Sequence, residues 1–589
     1  MTSTLREKLF AATSQAFEEM GLERRFGEIL PSSRPDLGQF QCNGALAAAK
    51  AARRKPADIA ADLKGKLSQN PMFAEVSVAG PGFLNFKLAG AFLAEHMNEL
   101  RGDARLGCPV VQSPRNVLVD FGGPNVAKAM HVGHLRSTII GDCLQRLFRF
   151  QGHNVTSDIH MGDWGTQMGM LIVAMQRRSP DLPYFNADFK GPYPTEPVVT
   201  LDELNEMYPV ASALCKAVPA EMALARAATA ELQAGRPGYR ALWREFVNVT
   251  HKALEADYAR LGIKFDLWYG ESTVQDRIEP MIERMKAEGY AEMSQGALVV
   301  QLAEPGDKTE IPPLILVKSD GGAMYGTTDL ATLEQRMTEL KSEVVLYVVD
   351  RRQSTHFEQV FRASRKTKIV PETASLEHIA FGTMNGSDGK PFRTREGGVM
   401  RLSDLLQMMT ERARSVMLAA EIGKDFPEDE LNDTATKVGI GAVKFADLVH
   451  NRLSDYVFDL DKFASFDGCT GPYLQYSAVR MQGILRKAAD RGFTPGPIVA
   501  AGDVERDLVL KLCELPAAVA DAEKERAPHH LCNFAYELAK LFSRFYEATN
   551  IINESDEAKR GSWLSLVKIT FDQMHLLLST LGIEIPARM

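Results

Sequence analysis

The block from Val117 to Ile159 constrains the fold of this chain more than any other. Val117-Leu-Val-Asp-Phe121 is a short apolar run of the kind that makes a fully buried strand, and Gly122-Gly-Pro124 is a sharp turn. Leu135, Ile139, Cys143 and Leu147, with Ile140, Leu144 and Phe148 beside them, then recur at helical spacing until Gly152, after which Val155–Ile159 extends again. A strand, a helix and a second strand in that order predict a right-handed crossover in a parallel sheet. Strand-like runs return at Leu314–Val317, Val344–Val349 and Leu376–Phe381, separated by helical patterns. They predict the second half of an α/β domain, a doubly wound (Rossmann-like) parallel sheet.

The rest of the chain arranges itself around that sheet. Between about 177 and 262 a proline-rich entry (Pro180, Pro183, Pro192, Pro194, Pro197) leads into an alanine-rich helical stretch, which predicts a helical insertion. Residues 1–108 read as a separate α/β module: Leu5, Leu9, Phe10 and Phe17 mark a helix, while Val76–Val78 and Phe83–Phe86 mark strands joined at Gly80-Pro-Gly82. From 401 to 589 strand signals vanish and stripes such as Phe534, Leu538, Leu541 and Phe545 predict an all-α bundle. The 589 residues suffice for three domains at ~150 residues each, the central one spanning 109–400.

Composition excludes several classes. With 45% hydrophobic and 24% charged residues the chain is not a disordered linker. Its 68 Lys and Arg against 76 Asp and Glu leave a net charge of −8, so any nucleic-acid contact must be local rather than a bulk basic coat, and DNA is not an expected partner. No apolar run reaches the ~18 residues of a membrane span, and mixed charges including Glu7 replace a signal peptide's apolar stretch, so a cytoplasmic location is expected. The seven cysteines form no Cys-x-x-Cys pair and are expected as small buried hydrophobes rather than disulfides or zinc ligands. Lys50, Arg53, Arg54 and Lys55 suit either a phosphate backbone or a solvated helix face.

The chemistry is expected where the first strand hands over to the first helix, at Asn125-Val-Ala-Lys128-Ala-Met-His131-Val-Gly133-His134. Ligands of open parallel sheets dock there, because backbone N–H groups and the helix dipole converge on negative charge. Two histidines at i and i+3 share a helix face and can both donate to phosphate, and Gly133 lets a flat base approach the backbone.

This segment resembles the HIGH motif of class I aminoacyl-tRNA synthetases, and Pro124-Asn-Val-Ala-Lys-Ala-Met-His-Val-Gly-His-Leu-Arg-Ser-Thr-Ile-Ile-Gly-Asp142 is similar to the arginyl-tRNA synthetase version. Further matches run nearly end to end: Gly162-Asp-Trp-Gly165, Tyr325-Gly-Thr-Thr-Asp329, Arg352-Gln353 with His356, Gly389-Lys-Pro-Phe-Arg-Thr-Arg395, Gly471-Pro-Tyr-Leu-Gln-Tyr476 and Leu581–Met589.

The resemblance implies ligation of L-arginine to tRNA(Arg) through an arginyl-adenylate, at the cost of ATP and with Mg²⁺, by a monomer that needs tRNA even for the adenylate step. It implies His131, Gly133, His134, His356, Met384 and Lys390 as ATP-binding residues. Lys128, Lys390 and Arg393, with Arg395 nearby, would supply the cationic charge that relatives place on a Lys-Met-Ser-Lys-Ser loop, absent here. Asn125, Tyr325, Asp329 and Gln353 would hold arginine, while Asp120 stands where many relatives have glutamate. Phe40, Gln41 and Asn43 would meet the tRNA elbow, and Tyr473, Tyr476, Arg480 and Met589 its anticodon, where unpaired bases are read by stacking and edge hydrogen bonds. Two competing readings are another class I synthetase or small nucleotidylyltransferase, and an RNA-binding protein with a dead site. The long helical C-terminal third and the Tyr325/Asp329 pair disfavour the former, the intact His131, His134 and Lys128 the latter.

Overall fold

The computed structural model describes residues 3–309, 311–318, 325–390, 392, 400–499 and 502–589. The chain divides into two compact units, 111–465 and a second made of 1–110 with 466–589.

The 111–465 unit is built on four parallel strands, β1 (Asn116–Phe121), β2 (Asn154–Asp158), β6 (Val344–Val348) and β7 (Ser375–His378), in the order β7-β6-β1-β2. Val117, Leu118, Val119 and Phe121 of β1 and all five residues of β6 are buried, as strands covered on both faces must be. The crossover helix α1 (Val132–Gln151) ends at Gly152, which takes a left-handed conformation (φ 97°) as the helix stop. Because the order reverses between β6 and β1, loops leaving their C-terminal ends diverge and leave a crevice, the standard ligand position in such sheets.

After α2 (Thr166–Arg178), the predicted insertion at about 177–262 is helical: α3 (Leu201–Ala217), α4 (Pro219–Gln233) and α5 (Pro237–Arg260). Helix α6 (Gln275–Ala287) follows. The run Leu314–Val317 is a strand, as expected, but not of the parallel sheet. It is β5 of a three-stranded antiparallel sheet with β3 (Glu292–Ser294) and β4 (Ala297–Val300). An apolar run marks burial, and Leu314 and Leu316 are buried in the core formed by α6, α7 (Tyr325–Thr338) and α8 (Ser354–Lys366), but it does not mark the partner strand.

Beyond β8 (Met384–Asn385), helices α9 (Leu402–Ala419) and α10 (Glu428–Leu448) and strand β9 (Tyr456–Val457) pack with the sheet unit, so the compact units part at 465/466 rather than at 400/401. The cause is physical. Arg136 of α1, with a side chain 3% exposed, donates to Asp447 of α10 at 2.8 Å and to the Ser454 carbonyl at 3.0 Å, and lies over the rings of Tyr456 and Phe381.

In the second unit the N-terminal module carries a four-stranded antiparallel sheet containing the expected strands, Phe73–Ala79 and Phe83–Leu88. Five helices of the C-terminal part, Gly471–Asp490, Asp503–Leu512, Leu515–Glu525, His529–Ala548 and Glu557–Thr580, join it. Asn98 exchanges two 2.8 Å hydrogen bonds with the Ile498 backbone, and Arg506 donates to the Leu88 carbonyl at 2.9 Å, so the two ends of the chain fold together. Six of the seven cysteines are buried and Cys469 is exposed. Among the described residues no helix is long and apolar enough to cross a membrane.

Candidate active site

His131 is the N-cap of α1. Its Nδ1 accepts from the Gly133 N–H at 3.0 Å, and His134 Nδ1 accepts from the His131 N–H at 3.2 Å, a reciprocal cap made by two imidazoles. Their rings lie 3.9 Å apart. Burial, followed by His131 and Lys128, pulls His134 down to about 3, and burial with Lys128 lowers His131 as well. Both rings are therefore neutral at pH 7, and with each Nδ1 accepting, the proton of each sits on Nε2. The structure thus presents two Nε2–H groups at a helix N-terminus.

The turn leading into that cap is held from three sides. Asn125 forms a bridge with Gly162, and the Val126 N–H donates to the Gly162 carbonyl at 3.0 Å. A Cβ on Gly162 would stand 2.2 Å from Asn125 Oδ1, so the Asn125 amide keeps this position only against glycine. Ala127 has φ 65° and donates to Thr250 Oγ1 of α5 at 3.0 Å. Strained backbone of this kind recurs at ligand sites. Lys128 lies with its ammonium 4.5 Å from the centroid of the Tyr208 ring.

Asp120 and Asp158, at the C-terminal ends of β1 and β2, both accept from Arg336 of α7, at 2.5 and 2.9 Å. Arg336 is 1% exposed and also lies 5.1 Å from the Tyr347 ring centroid. Asp120, Asp158 and His160 offer ligand atoms within 4.8 Å of one another, but Arg336 already supplies the cation. Asp120 is thus engaged in a buried ion pair. The Gly162–Gly165 segment is fastened to the chain around residues 272–275. Asp163 accepts from the Ser272 N–H and hydroxyl, and Trp164 donates to Gln275 at 2.6 Å.

Of the predicted arginine-binding residues, Tyr325 opens α7, and Asp329 follows one turn later, its Oδ2 2.6 Å from His356 Nε2. His356, expected on the ATP side, is thereby joined to Asp329, whose carboxylate raises it. Gln353 ends the short 3-10 helix Arg351–Gln353 just before α8. Sequence reading missed Glu271. It follows the Met161/Gly270 bridge that continues β2, and its N–H donates to the Met161 carbonyl at 3.1 Å. Burial, and in smaller part the carboxylates of Asp163 and Asp329, push Glu271 up to about 7, against the pull of His160. Its mark in the sequence is an acid directly after Phe265-Asp-Leu-Trp-Tyr-Gly270.

Met384 is buried in β8, and Lys390 is exposed at the end of a turn closed by Gly386 N–H to the Lys390 carbonyl at 2.8 Å. Phe392 packs on Phe458 at 4.8 Å. Arg393 and Arg395 lie outside the described residues. Where the chain is described again, it pairs with the histidine segment: Val132 donates to the Met400 carbonyl at 3.1 Å, and Leu402 to that of Met130 at 3.0 Å.

In the other unit Gln41 and Asn43 hydrogen-bond each other at 2.6 Å. Phe40, expected to meet tRNA, is 4% exposed in the sheet, paired in register with Phe86, and is a core residue as it stands. Lys50, Arg53, Arg54 and Lys55 are all exposed. Tyr476 and Arg480 are exposed on helix Gly471–Asp490, Arg480 lying 4.3 Å from the Tyr546 ring centroid. Tyr473 is half-buried against Tyr536, and Met589 is half-buried.

A histidine pair capping the first crossover helix of a doubly wound sheet, with acidic side chains nearby, fits a class I aminoacyl-tRNA synthetase, and comparison with known proteins shows that class. The family model for tRNA synthetases class I (R), catalytic domain, matches residues 98–460; a DALR anticodon binding domain matches 474–589, and an arginyl tRNA synthetase N terminal domain 3–88. The arginine–tRNA ligases of Hyphomonas neptunium and Maricaulis maris are 50% and 49% identical to this chain, each over 100% of both chains. Arginyl-tRNA synthetase from Plasmodium falciparum superposes with a TM-score of 0.81 at 26% identity, covering 100% of both chains. That of Thermus thermophilus gives 0.79 at 25%, covering 99% of this chain and 100% of its own. The chain belongs to the arginyl-tRNA synthetase family. It uses ATP to ligate L-arginine to tRNA(Arg) through an arginyl-adenylate.

Proposed function

We propose that the triphosphate of ATP lies against the Nε2–H groups of His131 and His134, with the arginine guanidinium between Glu271 and Asp329. The observation that carries this reading is the reciprocal imidazole cap: both Nδ1 atoms are engaged by backbone N–H groups, so two neutral donors remain for phosphate oxygen. Arginine's carboxylate attacks the α-phosphorus and the bond to pyrophosphate breaks. A ribose hydroxyl at the tRNA terminus then attacks the adenylate's carbonyl and AMP leaves. Neither step needs a covalent protein nucleophile, and catalysis is positioning plus electrostatic stabilisation. Lys128 and Lys390, with Arg393, supply cationic charge to the leaving pyrophosphate. Gly133 and Met384 flank the nucleotide.

On the amino-acid side, Asn125 holds the backbone end of arginine and Gln353 lines the pocket. Glu271 and Asp329 face the planar fork of guanidinium donors, with the Tyr325 hydroxyl beside them; lysine's single ammonium satisfies fewer of these acceptors. His356 belongs to this pocket through Asp329 rather than to the nucleotide. Imidazoles and lysines around the triphosphate are donors to phosphate, not ligands for a hard cation, so Mg²⁺ arrives on the ATP oxygens as the substrate's counter-ion. Gln41, Asn43, Tyr473, Tyr476, Arg480 and Met589 are the tRNA contacts of this reading, and the protein works as a cytoplasmic monomer.

Pyrophosphate exchange measured across all amino acids, with and without tRNA, tests the reading. Exchange with arginine alone, and only when tRNA is present, is expected. Exchange with another amino acid, or at full rate without tRNA, overturns it.

A further inference from the structure

Helix α3 of the insertion has a polar face made by Asp202, Asn205, Tyr208, Ser212 and Lys216, spaced three to four residues apart and so aligned along one side. Leu204 and Cys215 are buried elsewhere on the same helix. The polar side holds the catalytic loops at three points. Asp202 pairs with Arg401 at 2.9 Å, Asn205 Oδ1 accepts from the Ala129 N–H at 3.4 Å, and the Tyr208 ring takes the Lys128 ammonium at 4.5 Å. Arg401 is itself bridged to His131, so the three contacts grip the segment on both sides of the imidazole cap. Between helix and loop lies a cavity of about 450 Å³ lined by Lys128, His131, Tyr208, Ser212 and Lys216, large enough for phosphate oxygens to enter beside the ammonium.

A lysine side chain has four rotatable bonds and loses much rotamer freedom when fixed. Lys128 comes from a loop and makes no ion pair among the described residues, and the ring of Tyr208 is the contact that restricts its head. An aromatic face attracts an ammonium without neutralising it, unlike a carboxylate, and so leaves the charge available to a phosphate. We propose that Tyr208 is a positioning residue for the first step: it fixes the Lys128 ammonium at the edge of the triphosphate site, and α3 is the part of the insertion that does this. The proposal rests on the assignment of Lys128 to the phosphates made above.

The test is tRNA-dependent pyrophosphate exchange by the full chain carrying Tyr208→Phe, Tyr208→Leu, Lys128→Met or Lys128→Met with Tyr208→Leu. Tyr208→Leu is expected to lower kcat/KM for ATP about five- to tenfold, while Tyr208→Phe, which keeps the ring face, stays within about twofold of the parent. Arginine KM and tRNA affinity stay unchanged. With Lys128 already replaced, Tyr208→Leu costs nothing more, because the residue acts through that lysine. Equal losses in Phe and Leu variants, a Leu penalty that persists in the Lys128→Met background, or a Leu variant as fast as or faster than the parent overturns the proposal. A Lys128→Met enzyme of full activity instead removes Lys128 from the phosphate site, and Tyr208's role with it.

Discussion

Arginine binding should release a proton from Glu271. With its carboxyl pushed up to about 7, Glu271 is half protonated at pH 7 in the free enzyme. A guanidinium placed against it favours the ionised form, and an opposite charge at that range lowers a carboxyl by one to three units. Taking a shift of about two units, binding releases about 0.8 proton at pH 6, about 0.5 at pH 7 and about 0.1 at pH 8. The sign follows: protons compete with the substrate cation, so affinity rises as pH climbs through about 7, by about tenfold between pH 6 and pH 8, or about 1.4 kcal/mol. His134, at about 3, stays neutral throughout and adds nothing. Calorimetric titration of the tRNA-bound enzyme with arginine, in buffers of different ionisation enthalpy, counts the protons. Glu271→Gln should abolish the release and weaken arginine about ten- to a hundredfold at pH 8, the worth of a charge-assisted hydrogen bond. Two titrating histidines lie close by: His356, raised by Asp329, and His160, which Asp158 raises against burial, so the titration is also run in His160→Gln, where the release should persist. If the release survives in Glu271→Gln and disappears in His356→Gln, or is near zero at pH 6 in the parent, the reasoning about Glu271 is refuted.

Gly162→Ala should raise arginine KM about tenfold with ATP KM little changed, since its new Cβ would sit 2.2 Å from Asn125 Oδ1 and the overpacking must turn that amide away; steady-state kinetics read the split. Arg136→Met leaves Asp447 buried and without its cation, and should destabilise the 111–465 unit by about 3–5 kcal/mol in denaturant unfolding. The double variant Arg136→Met, Asp447→Leu should recover most of that loss, and no recovery would mean that the pair is not the cause.

Local patterns made much of this architecture legible. The β1–α1–β2 unit follows from an apolar run, a Gly-Pro turn, a helical stripe and a glycine stop, and the structure bounds it within three residues of the sequence reading at each end. What stayed hidden depends on contacts between distant segments. Leu314–Val317 reads as a strand in either sheet, because hydrophobicity specifies burial and not the hydrogen-bonding partner. Helices α9 and α10 read as part of an all-α bundle, because the buried Arg136–Asp447 pair that fastens them to the sheet unit joins residues 311 apart in sequence. Phe40 looked like a loop aromatic because the strand Phe40–Cys42 has only three residues.

At the site the histidine pair was legible, since a strand-to-helix handover gives the motif its meaning, but not the tautomer, which follows from the two Nδ1 contacts. Glu271 carries no motif of its own. It becomes visible when burial and the neighbouring acids raise it beside Asp329. His356, expected beside the nucleotide, lies in α8 with its Nε2 2.6 Å from Asp329, a contact between residues 27 apart that no local pattern marks.

The division of labour between imidazoles and carboxylates is tested most directly by the arginine-dependent, tRNA-dependent exchange rate of His134→Asn and Asp329→Asn, each measured over a range of ATP and of arginine. His134→Asn should cut kcat/KM for ATP by about a hundredfold with arginine KM within about twofold, the loss expected of a donor to developing charge. Asp329→Asn should show the reverse, a large rise in arginine KM with ATP KM preserved. If the two patterns exchange places, or each variant degrades both substrates equally while remaining folded, then triphosphate and guanidinium do not lie where the imidazole cap and the acidic pocket assign them.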